Sequence, residues 1–142
     1  MCNFLFIASD LPLPSLPWEE DNPGVHILKS SECENVKCLT KPHICEIGSH
    51  AGCGCAFVFA LWDDPNNPPN DDEIRESNEN REDFRQLSAY LERVGAKTGK
   101  VELYSAWDYL LPPLIIREVS LDTLQGEGFV FKDRELLVVN CQ

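Results

Sequence analysis

The chain has 142 residues, 43% of them apolar, with 24 acidic against 12 basic side chains and a formal net charge of −12. That length and apolar content imply one domain that buries its own core without a disulfide or metal to hold it, and exclude a disordered chain. The charge excludes a nucleic-acid face or an anionic membrane surface as partner, since both need clustered cations; a basic protein is the partner that electrostatics would steer in.

In chain order, Cys2 to Ala8 is a near-continuous apolar run that reads as a buried strand, ended by Asp10 and by Pro12, Pro14 and Pro17. The run lacks a preceding Lys or Arg and no stretch of 18 apolar residues occurs, so neither an export signal nor a membrane span is expected. Leu11 to Gly24 reads as an extended loop carrying Trp18, and Val25 to Leu28 as a second short strand. Ser30 to Lys41 is polar and irregular, and His43 to Ile47 is a strand leading into a glycine-rich knuckle, Gly48-Ser49-His50-Ala51-Gly52-Cys53-Gly54-Cys55. Cys55 to Trp62, with seven apolar residues after Cys55, reads as the clearest strand of all.

Residues 63–83 hold nine acidic and two basic side chains, an acidic loop and helix start within the single domain 1–142. A helix is predicted over Asp71 to Val94, with Phe84, Leu87, Leu91 and Val94 as its apolar stripe and Gly95 as a left-handed cap. Its early turns, Arg75 to Asp83, carry no apolar residue and are expected to face solvent. Val101 to Trp107 alternates like a half-buried strand, and Leu114 to Val119 is another strand. Ser120 would cap a short helical turn to Leu124. Phe129 to Phe131 and Glu135 to Val139 would pair as a hairpin. The fold class expected is α+β, a mainly antiparallel sheet with one principal helix packed on it.

Seven cysteines, an odd number, fit reduced thiols in a cytoplasmic protein better than a disulfide framework. The knuckle concentrates chemistry. Cys53 and Cys55 are one residue apart, so their sulfurs share a side of an extended chain, and Gly52 and Gly54 allow the backbone to fold inward. His50 stands three residues before Cys53. Thiolate and imidazole are the ligands zinc takes in tetrahedral geometry. The expected metal set is therefore His50, Cys53 and Cys55 with Cys2, which a first strand pairing beside an Ala56–Leu61 strand would bring near; Cys45 or His43 are alternatives to Cys2 for the fourth place.

Two other classes of function remain open on the same residues. The thiols can be inert small side chains in the core of an acidic interaction protein, of the kind that neutralises basic toxins. Alternatively, Cys53 or Cys55 is a reactive or redox thiol with His50 as its base. Whether the protein is an enzyme is not decided by these residues. Met1-Cys2, Ile7-Ala8-Ser9-Asp10, Leu13-Pro14, Gly48-Ser49-His50 and Gly52-Cys53-Gly54-Cys55 together resemble a group of short bacterial proteins of unassigned function. The resemblance spans about the first 65 residues and departs from the group's pattern at Ala56, where a further glycine is expected. It implies no substrate and no catalytic residue.

Overall fold

The structure is a computed structural model that describes residues 2–58, 66–126 and 128–142. Six strands, β1 (Phe4–Ser9), β2 (His26–Leu28), β3 (His43–Gly48), β4 (Lys100–Ala106), β5 (Ile115–Ser120) and β6 (Glu135–Asn140), form one sheet in the order β2-β3-β1-β4-β6-β5. Neighbouring strands run antiparallel except β5 and β6, which are parallel. A long helix, α1 (Asp71–Thr98), packs on one face, and a single turn, α2 (Leu121–Leu124), connects β5 toward β6. The molecule is thus one mixed α+β domain, mostly antiparallel, with one main helix. Among the described residues, no helix is long and apolar enough to cross a membrane.

β1 lies centrally, between β3 and β4, and both of its faces are covered. Leu5 and Ile7 pack toward α1 with Leu87, Tyr90 and Leu91. Phe6 and Ala8 pack on the opposite face with Cys33, Val36, Leu39 and Tyr104. Burial on two sides is why the strand reads as an unbroken apolar run rather than an alternation. β4 departs from its expected half-burial for the same reason: Val101 through Ala106 are all buried. Glu102 is accommodated there because its carboxylate accepts from the Thr40 and Lys41 amides, at 2.8 and 3.0 Å, and from the Thr40 hydroxyl at 2.9 Å. Glu102→Gln is expected to cost about 1–2 kcal/mol, read by urea unfolding, because charge-assisted bonds to a buried carboxylate are the stronger kind.

The helix begins where expected, with the Asn70 side chain accepting from the Glu73 amide at 2.8 Å. It ends four residues later than expected. Gly99, not Gly95, takes the positive φ of 79°, and its amide closes on the Gly95 carbonyl at 2.8 Å. Gly95 serves packing instead, since a Cβ there would lie 2.6 Å from the Cys141 sulfur. The apolar stripe is as read, with Leu87 and Leu91 fully buried and Phe84 and Val94 at its margins.

Three further expectations fail. Cys55 to Trp62 does not open as a strand: Gly54–Phe57 is one turn of 3-10 helix, and 59–62 lie outside the described residues. Ala56 and Phe57 are apolar because that turn is buried under α1, a distinction that a short apolar run does not carry. Phe129 to Phe131 is no hairpin arm either. Its rings join Phe84 in an edge-and-stack cluster, with centroids 5.8 Å (Phe129) and 6.2 Å (Phe131) from Phe84, and the Phe131 amide donates to the Phe57 carbonyl. β6 pairs with β4 and β5 instead. Ser120 does occupy the N-cap position of α2, but its hydroxyl faces Thr123 Oγ1 at 3.5 Å and caps no backbone amide.

Candidate metal centre

The start of β1 and the knuckle meet through a backbone clasp. The Gly54 amide donates to the Asn3 carbonyl at 3.2 Å, and the Asn3 amide donates to Cys55 Sγ at 3.4 Å. Asn3 is itself fixed, because it is buried and its side-chain amide donates to Ser105 Oγ at 3.1 Å on β4. This clasp needs a glycine at 54: a Cβ would sit 2.8 Å from the Asn3 carbonyl oxygen and 3.3 Å from the Leu5 nitrogen, both backbone atoms that cannot swing away. Gly54→Ala is expected to cost about 1–3 kcal/mol in thermal unfolding, as overpacking against fixed backbone does, and to pull the knuckle off β1.

The knuckle folds on itself through Gly52, at φ 90°. The Gly52 amide donates to the Ser49 carbonyl at 2.9 Å, and the Ser49 amide to the Cys53 carbonyl at 2.7 Å. The consequence is that the sulfurs of Cys2, Cys53 and Cys55 lie within 4.8 Å of one another, with Cys2 exposed and the other two half-buried. Three thiolates on one tetrahedral zinc, at about 2.3 Å each, would stand roughly 3.8 Å apart, so side-chain rotations alone bring these atoms to a shared ion.

Crowding and burial act against charge at this spot. The Cys53 thiol is pushed up to about 12, mainly by burial and further by hydrogen bonding and repulsion from its Cys55 and Cys2 neighbours, against which the Cys55 backbone works only in part. Cys53 is consequently a neutral thiol at physiological pH, the wrong state for a nucleophile. A divalent cation reverses that balance by taking the place of the proton.

His50 is not in this group. Its backbone amide and its ring Nδ1 both engage Asp83 of α1, at 3.0 Å to Oδ1 and 2.5 Å to Oδ2, and its Nε2 stands 2.9 Å from Glu79 Oε2. Its carbonyl accepts from the Trp18 indole at 3.2 Å. With both ring nitrogens held by carboxylates, His50 ties the knuckle to the helix and offers no free lone pair toward the sulfurs. Cys45 and His43 do not join the thiols either. They pair with Ile7 and Ser9 on β1, five and more residues along the strand from Cys2, on the order of 20 Å away.

Asp83 is the residue that sequence reasoning placed wrongly, in a turn expected to face solvent. It is 1% exposed. A signal for it was present, since Asp83 stands four residues before Leu87 and eight before Leu91 and so shares their face. Glu79, a further four residues back, continues the row into the half-exposed rim. Burial holds the Asp83 carboxyl above its ordinary range, and the hydrogen bonds from His50 offset only part of that rise.

Comparison of the chain with family models, with curated proteins and with solved structures finds no match in any of the three.

Proposed function

We propose that this protein binds a thiophilic transition-metal ion, zinc foremost, through Cys2, Cys53 and Cys55. The observation that carries the reading is the convergence of the three sulfurs within 4.8 Å from two segments far apart in sequence. The Asn3 amide aimed at Cys55 Sγ supports it, because N–H donation stabilises a thiolate in the way that outer contacts tune metal ligands. Carboxylates stand on the other side of the knuckle, where they engage His50, so the donor set facing the ion is sulfur and favours soft or borderline metals over magnesium or calcium.

Three thiolates on a divalent ion leave one tetrahedral position for a ligand from solvent or from a partner. They also give the centre a net negative charge, which weakens its pull on the electrons of a bound water. The chemistry fits holding or handing on a metal better than hydrolysis. Elemental analysis of protein purified without chelator tests this, with about one zinc per chain expected. Less than about 0.2 metal per chain, with all seven cysteines titrating as free thiols, would overturn it.

A further inference from the structure

Away from the thiols, the loop that follows β1 is clamped to α1 at two points and bows off the helix between them. The Tyr90 hydroxyl donates to the Pro14 carbonyl at 2.7 Å, and the Val25 amide donates to Gln86 Oε1 at 2.8 Å. The second clamp requires Gly24, where a Cβ would lie 2.6 Å from Gln86 Oε1. Leu16 and Ile27 exchange backbone hydrogen bonds at 3.0 and 2.8 Å, which pins the loop to the β2 edge as well. A cleft of about 320 Å³ lies between loop and helix, walled by Leu16, Pro17, Ala89 and the Tyr90 ring. That is the lower end of the size range of small-molecule sites.

The charges on its rim are uneven in an informative way. Arg85 also borders the cleft, but its guanidinium is already bound to the carboxylate of Glu82. Arg93 lies over the Tyr90 ring, 5.4 Å from its centroid, and among the described residues it has no carboxylate partner. Glu19, on the loop side, likewise has no cationic partner among the described residues. One uncommitted guanidinium, one uncommitted carboxylate and an apolar floor match a small zwitterion with an apolar body. We propose that this cleft binds a free α-amino acid with an aliphatic or aromatic side chain, its carboxylate on Arg93, its ammonium on Glu19 and its side chain against Leu16, Pro17 and Ala89. The planar fork of an arginine suits a carboxylate, and the stacked Tyr90 ring holds that fork in place. This site is independent of the thiols.

Calorimetric titration of the full chain with L-leucine and L-phenylalanine tests the assignment, with N-acetyl-leucine and leucinamide as capped probes. The expected result is binding at millimolar concentration or tighter, weakened at least about tenfold by either cap. Arg93→Gln should erase the preference for a free carboxylate, and Glu19→Gln the preference for a free amine. Both side chains are exposed, so both variants are expected to fold. No heat up to about 10 mM of either amino acid, equal affinity for capped and free forms, or affinity unchanged in both variants would each overturn the proposal. The Cys53→Ser variant should bind the amino acids as the parent does, which separates this result from the fate of the metal reading.

Discussion

Cys53→Ser is expected to lower bound zinc from about one per chain to below about 0.2, and to weaken its affinity at least a hundredfold. Losing a contact outside the ligand sphere typically costs about 10–100-fold, and a thiolate that itself touches the ion counts for more. Serine keeps the size of the side chain and removes the soft donor, so the knuckle should still form. Cys2→Ser and Cys55→Ser should follow the same course, because all three sulfurs share the same small volume. Cys38→Ser is the matched control. That thiol packs on the opposite face of the sheet, near Phe6 and Tyr104, and its loss should leave metal content unchanged. Cobalt substitution gives a second readout, since thiolate-to-cobalt charge transfer should fall in proportion to the sulfurs removed. Zinc retained in full by all three serine variants would end the assignment.

Asp83→Ala is expected to destabilise the fold by about 2–4 kcal/mol, lowering the thermal midpoint by roughly 10 °C. The substitution strands the His50 amide and ring nitrogen that Asp83 now accepts from, and it frees the knuckle from α1. Asp83→Asn is gentler and exposes the pH dependence. The folded protein holds the Asp83 proton to a higher pH than the ordinary 3.8, because burial raises it. Folded protein therefore binds more protons than unfolded between 3.8 and the raised value, and stability falls as pH climbs through that window. The stability advantage of the parent over Asp83→Asn should accordingly be largest near pH 4 and shrink toward neutrality. Urea unfolding at several pH values measures it, and an advantage that grows with pH would contradict a carboxyl that burial holds above its ordinary range.

The parts of the fold that were legible in the sequence are those where one rule decides. β1 announced itself by an apolar run buried on two faces, and α1 by the spacing of Leu87 and Leu91. What was not legible depended on contacts between distant segments. Gly95 looks like a cap until Cys141 is seen packed on it, and Phe57 and Phe131 look like strand residues until their burial beside Phe84 is known. At the site, Cys2 does meet Cys53 and Cys55, but not through pairing of its strand with a strand after Cys55: Gly54–Phe57 is a 3-10 turn, and the Asn3–Gly54 clasp brings the thiols together instead. His50 went elsewhere because Asp83 and Glu79 offer it two acceptors on one helix face, and imidazole between carboxylates is already satisfied. Spacing along the chain shows which groups are near one another, but competition among partners decides which of them meet.

The clasp between Asn3 and Cys55 joins residues 52 positions apart. An ion shared by Cys2 and the knuckle would therefore act as a removable cross-link, closing a loop that contains β1, β2 and β3. By the chain-entropy estimate for a loop of that length, such a tie restricts the unfolded ensemble by up to about 4 kcal/mol. Chelation should then show first as faster proteolytic nicking in the knuckle, with the core shared by α1 and the sheet resisting longer.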